Sequence, residues 1–284
     1  MTAIVTPTPR PTLVFIMSPV GRSGTNFLRA LMIKSRLCQA PLGHSIASED
    51  WRNANSHLLI KYAASVKQRH ILASQAEPMV YELEEAMLLR QFGEAIRNTI
   101  RYKHSRPIAL KTPSSDGVST VFNLFDDARL ILLIRDGRDT CQSICRSGFI
   151  ESYAQAFERW RDKVKQMTDY AGVYTENSKK PLVLWVKYED AFADPEATVR
   201  RIARFIGEGD AKLDMNGIRE LPVFGSSELG RTPKDEFVYQ TLPVKRGFNP
   251  IGRWKSWPPE VKKLFKKIAN EQLVDLGYEK DESW

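Results

Sequence analysis

The chain alternates short apolar runs with longer stretches in which apolar residues recur every three or four positions. Leu13-Val14-Phe15-Ile16-Met17 has no polar break and holds two β-branched residues, which predicts a buried strand. Phe27, Leu28, Leu31 and Met32 follow at helical spacing. Three more strand-sized runs come later: Pro107-Ile108-Ala109-Leu110 ahead of Lys111, Leu130-Ile131-Leu132-Leu133-Ile134, and Leu182-Val183-Leu184-Trp185-Val186 ahead of Lys187. The unbroken run at 130–134 reads as a central parallel strand. Residues 51–101 read as mostly helical, with Val80, Leu83, Met87, Phe92 and Ile96 as a core-facing stripe. Tyr153, Phe157, Trp160, Val164 and Met167 predict a packed helix, and a last helix runs from about Pro259 to Leu276. Asp194-Pro195-Glu196 supplies a cap, a proline at the first helical position and an acidic first turn. Strands alternating with helices predict an α/β fold with a parallel β-sheet flanked by helices. Residues 1–284 read as one domain, with 1–12 extended and 51–101 a helical insertion on the substrate side.

The polar residues that interrupt this pattern collect after the strands. Pro19-Val20-Gly21-Arg22-Ser23-Gly24-Thr25-Asn26 joins the first strand to the first helix. A glycine-bearing turn into a helix presents unpaired backbone N–H groups and the positive end of the dipole, a ready anion site. Arg22, Ser23, Thr25 and Asn26 add side-chain donors; the alternative is a strand–helix turn with no ligand. The nucleotide-binding P-loop has Gly-Lys-Ser/Thr at this point. This chain has no lysine after Gly24 and carries its cation earlier, at Arg22.

Lys111 closes the second strand, where a lysine is unusual unless it meets an anion. The third strand ends in Arg135-Asp136-Gly137-Arg138-Asp139, with arginine where a P-loop phosphotransferase places an aspartate for Mg²⁺. Ser143 lies eight residues on, in a helix capped by Asp136 or Asp139. Tyr188-Glu189-Asp190 follows the fourth strand, Phe224-Gly225-Ser226-Ser227 is a loop, and Lys245-Arg246-Gly247 precedes Gly252-Arg253-Trp254-Lys255.

Taken in order, these elements resemble the sulfotransferases that use 3′-phosphoadenosine 5′-phosphosulfate (PAPS), from about Leu13 to Gly277. The resemblance implies that Gly21, Arg22, Ser23, Gly24, Thr25 and Asn26 hold the 5′-phosphosulfate and that Arg135 and Ser143 grip the 3′-phosphate. It further implies that Tyr188 lies near the adenine and that Lys245, Arg246 and Gly247 clamp the nucleotide, with a longer spacer than is usual. The implied reaction is in-line sulfuryl transfer to a hydroxyl or amine, without metal, leaving adenosine 3′,5′-bisphosphate (PAP). Arg22 and Lys111 are then the cations that meet charge developing on the leaving oxygen. The family's aryl and steroid branch takes its base from a Lys-Thr-His run, but Lys111-Thr112 is followed by Pro113. The tyrosylprotein branch places a glutamate after the first helix, where this chain has His44, then Glu49 and Asp50. His44 ranks first as the base, being mostly neutral at pH 7, Glu49 second and Asp50 third.

Composition narrows the picture a little. The net charge of +8 suits an anionic ligand, but Lys262, Lys263, Lys266 and Lys267 read as the solvated face of one helix. No nucleic-acid motif accompanies the charge, so no nucleic-acid partner is expected. Cys38, Cys141 and Cys145 lack zinc spacing and cannot all pair, which suits a reduced, cytoplasmic protein; Cys141 and Cys145 read as packing residues. No apolar run is long enough for a signal sequence or a membrane span. The expectation is a PAPS-dependent enzyme acting on a small-molecule acceptor. A P-loop small-molecule kinase and a non-catalytic nucleotide- or RNA-binding protein are the alternatives.

Overall fold

The computed structural model describes residues 10–73, 78–176, 182–219, 221 and 249–284. Strand β1 (Leu13–Met17) leads through a tight loop into helix α1 (Thr25–Lys34). Helices α2 (His57–Ala73) and α3 (Pro78–Asn98) precede β2 (Ile108–Thr112), and a short α4 (Val121–Leu124) precedes β3 (Arg129–Ile134). Then come α5 (Gly137–Arg146), α6 (Tyr153–Glu176), β4 (Val183–Lys187), α7 (Tyr188–Ala193), α8 (Pro195–Ile206) and α9 (Pro259–Asp275).

The four apolar runs form one parallel sheet in the order β2-β1-β3-β4, as their near-continuous hydrophobicity requires. Val14 and Ile16 point to one face, where Leu28, Leu31, Val199 and Ile202 cover them. Leu13, Phe15 and Met17 point to the other, against Leu110, Leu132, Phe125 and Met167. A third cluster, built on Phe157, Trp160 and Phe265, joins α5 and α6 to α9. After β1 the chain crosses to β2 on one side and returns to β3 on the other, so β1 and β3 flank the switch point. Open α/β sheets bind ligands outside the carboxyl ends of the strands at such a point.

The stripe expected on 80–96 is only half a core face. Phe92 and Ile96 pack against the core, but Val80, Leu83 and Met87 are exposed, with Met79 beside them. The step from Met87 to Phe92 is five residues, which turns the helix by about 140° beyond a full revolution and changes faces. Tyr81, Leu88 and Leu89 occupy the inward face instead, and Lys67 of α2 pairs with Glu85.

Candidate active site

The loop after β1 is fastened from within. Ser18 and Ser23, both buried, donate their hydroxyls to the carbonyl of Val20, at 3.0 and 2.8 Å. Ser23 therefore has its backbone N–H, not its hydroxyl hydrogen, left for a ligand. Gly24 is the N-cap of α1 at φ 96°, and a Cβ there would lie 2.2 Å from Cδ2 of Tyr188. Only glycine satisfies both the left-handed backbone and that close approach. Arg22 also has positive φ, 70°, a strained conformation for a side-chain-bearing residue and one that collects at functional sites. No acidic residue stands in the first turn of α1, so its N-terminus is open to an anion.

Arg22 donates from Nε to Oγ of Ser143 on α5, at 3.2 Å. Arg135, just past β3, donates from Nη1 to the carbonyl of Arg22 at 2.9 Å and from Nη2 to that of Pro250 at 2.5 Å. Its guanidinium lies over the ring of Tyr188, with Cζ 4.9 Å from the ring centroid. The Nε of Arg135 is buried with no partner among the described residues. A buried unpaired donor is costly, and an anion beside it removes the cost. Tyr188 is itself buried against Gly24, Arg135, Phe27 and Phe192, and burial pushes its phenol up to about 12. Its ring is a wall beneath Arg135 and the loop, with Phe192 stacked near it.

On the other side of the loop, Lys111 is 1% exposed at the end of β2. Its ammonium bonds Oδ1 of Asn26 in the first turn of α1 and the carbonyl of Ala47 at 2.9 Å, and stands 3.9 Å from Oε1 of Glu49. Burial lowers its pKa to about 8 against the attraction of Glu49. The segment 47–50 lies along β2, since the N–H of Asp50 donates to the carbonyl of Lys111 at 2.8 Å. Asp50 is paired with Arg52, and α2 begins only at His57, so Asp50 does not cap it. His44 keeps a buried Nδ1 with no partner among the described residues, and burial lowers its pKa against the pull of Asp50.

Two relationships had little or no local signal in sequence: the partners of Arg29 and those of Asp139. Arg29, buried on α1, donates to the carbonyls of Ser48 and, at 3.5 Å, Ile46, and so holds the loop that carries Glu49. Its one clue was a charge in the middle of the apolar run Phe27–Met32. Asp136 is the cap of α5, receiving the N–H of Arg138 at 2.9 Å. Asp139 instead receives the N–H groups of Gly252 (2.7 Å) and Trp254 (3.2 Å), more than a hundred residues away. Thr25, buried, opens α1. Lys245, Arg246, Gly247 and the 224–227 loop lie outside the described residues. Among the described residues no cluster of His, Cys, Asp and Glu could hold a metal ion, and no helix is long and apolar enough to cross a membrane.

A family model described as "Sulfotransferase family" matches residues 13–211. A Drosophila melanogaster protein-tyrosine sulfotransferase is 27% identical over 208 residues, covering 68% of this chain and 38% of the fly protein. The chain thus spans well under half the length of that relative. Among solved structures, the sulfotransferase domain of the Synechococcus PCC 7002 olefin synthase superposes with a TM-score of 0.52 at 17% identity, over 92% of this chain and 96% of that domain. Mouse sulfotransferase SULT7A1, complexed with PAP, superposes with a TM-score of 0.51 at 18% identity, over 95% of this chain and 87% of the mouse protein. Both likenesses are of fold. They match the parallel sheet flanked by helices that the apolar pattern predicts.

Proposed function

Because this chain belongs to the sulfotransferase family, we propose that it is a sulfotransferase whose donor is PAPS and whose acceptor is a small molecule bearing a hydroxyl or amine. The observation that carries the donor assignment is the convergence of Arg22, Ser143 and Arg135, with the Nε of Arg135 buried and unsatisfied among the described residues. A 3′-phosphate oxygen is the natural partner for that donor and for the hydroxyl hydrogen of Ser143. The open amides of Gly24, Thr25 and Asn26 suit the phosphosulfate at the N-terminus of α1. PAP bound to the mouse protein of the same fold agrees with this reading.

When bound, PAPS supplies the sulfuryl group that passes to the acceptor. The chain's own task is to meet charge that grows on the leaving oxygen, and Arg22, Lys111 and the loop amides are the donors disposed around the loop for it. Glu49 takes the acceptor's proton: it is the carboxylate tied through Lys111 to Asn26, at the phosphosulfate end of the cradle. His44, ranked first from the sequence, is the second reading, favoured by an Nδ1 with no partner among the described residues and by its depressed pKa. No step in this scheme requires a metal ion.

Calorimetry with PAP and with AMP tests the donor assignment. PAP is expected to bind at least tenfold more tightly, and Arg135→Ala to remove most of that advantage, since a charge-assisted bond contributes about 1.5–3 kcal/mol. Equal affinity of the unaltered protein for the two nucleotides overturns the assignment.

A further inference from the structure

Arg138 is buried, yet nothing in the scheme above uses it. Its Nε donates to Oδ1 of Asp136 at 3.0 Å and its Nη2 to Oδ2 at 2.8 Å, while Nη1 reaches Oε1 of Glu279 at 2.6 Å. The guanidinium also sits in the corner formed by two indoles: Cζ lies 3.7 Å from the ring centroid of Trp254 and 4.4 Å from that of Trp284. The indoles meet edge to face, 5.2 Å apart, and Nε1 of Trp284 donates to Oδ1 of Asn270 at 2.8 Å. One cation therefore joins three separate pieces: the cap of α5, the turn Arg253–Ser256, and the segment after α9.

That turn also bears on the nucleotide site. Asp139 fixes the N–H groups of Gly252 and Trp254, and the carbonyl of Pro250 receives Nη2 of Arg135. Pro250 and Arg22 supply the two backbone carbonyls that orient the Arg135 guanidinium. Whatever fixes residues 250–254 therefore fixes the direction in which Nε of Arg135 points. Tryptophan is the strongest aromatic partner for a cation, and the pairing strengthens when it is removed from water, as Arg138 is.

We propose that Arg138, set in the corner of Trp254 and Trp284, is a positioning residue for the 3′-phosphate grip: it holds the 250–254 segment whose Pro250 carbonyl aims Arg135. The inference rests on the PAPS reading. It assigns no contact between the nucleotide and Arg138 or either indole.

The test uses the full chain and compares PAP with AMP, which lacks the 3′-phosphate. Trp284→Ala removes one wall of that corner and is expected to raise the dissociation constant for PAP about three- to tenfold, with AMP unchanged within about twofold. Trp284→Phe keeps an aromatic face and should restore most of the PAP affinity. It also serves as the readout if the alanine variant does not fold. A merely structural tryptophan would weaken both nucleotides together or neither, and either result overturns the proposal, as does a Phe variant as weak in PAP alone as the Ala variant. If the unaltered protein itself fails to distinguish PAP from AMP, the donor assignment is what has failed.

Discussion

Glu49→Gln is expected to lower turnover by roughly 10²–10⁴-fold while leaving PAP affinity within about twofold. Glutamine keeps the size and an acceptor oxygen near Lys111 but cannot take a proton. Glu49 stands 3.9 Å from an ammonium that is itself bonded to Asn26, so this carboxylate is anchored to the first turn of α1. His44→Gln, by contrast, should leave turnover within a few-fold. The two variants exchange outcomes if His44 is the base, and steady-state kinetics with PAP titrations on each separates the readings. A loss of PAP affinity in Glu49→Gln equal to its loss of turnover would count against a base and for a role in nucleotide binding.

Lys111 gives the second large effect, with a sign set by its environment. Burial lowers its pKa to about 8 from 10.5, so the cation that the proposed mechanism uses is present below pH 8 and lost above it. The second-order rate with PAPS should therefore fall about tenfold per pH unit above roughly pH 8, because that parameter reports the free enzyme. Lys111→Met should lose about 10²–10³-fold in turnover and also lose this alkaline limb. Stability moves the other way. Between about 8 and 10.5 the unfolded chain binds more protons at this residue than the folded one, so its contribution to stability rises with pH across that window. An alkaline limb that survives in Lys111→Met assigns the limb to another group.

The sheet was legible because its four strands are apolar on both faces, and a run such as Leu130–Ile134 has few other uses. The loop was legible for a different reason: Gly21, Gly24 and Arg22 act within seven residues of one another and need no distant partner to be noticed. Arg135 and Ser143 also share a short span, and the fold brings both to Arg22 across 113 and 121 residues. What escaped were relationships between distant segments. Asp139 reads as the alternative to Asp136 for the cap of α5, yet its carboxylate receives the N–H groups of Gly252 and Trp254. Arg138 is one more basic residue in a run of charges until Trp254 and Trp284, more than a hundred residues on, meet it. The exposed face of α3 was misread because a stripe of correct residue types hid a five-residue step. Periodicity carries information about faces only while the period is kept.

In the proposed mechanism this protein moves a sulfuryl group from PAPS by its own cations and loop amides. The most direct measurement is release of PAP from PAPS, in excess EDTA, across a panel of alcohols, phenols, sugars and amines, with mass spectrometry of each acceptor. The expected result is PAP formation that depends on one class of acceptor, a gain of one sulfo group on that acceptor, and no loss of rate on chelation. Failure to consume PAPS with any acceptor, together with Mg²⁺-dependent loss of the terminal phosphate of ATP, would contradict it.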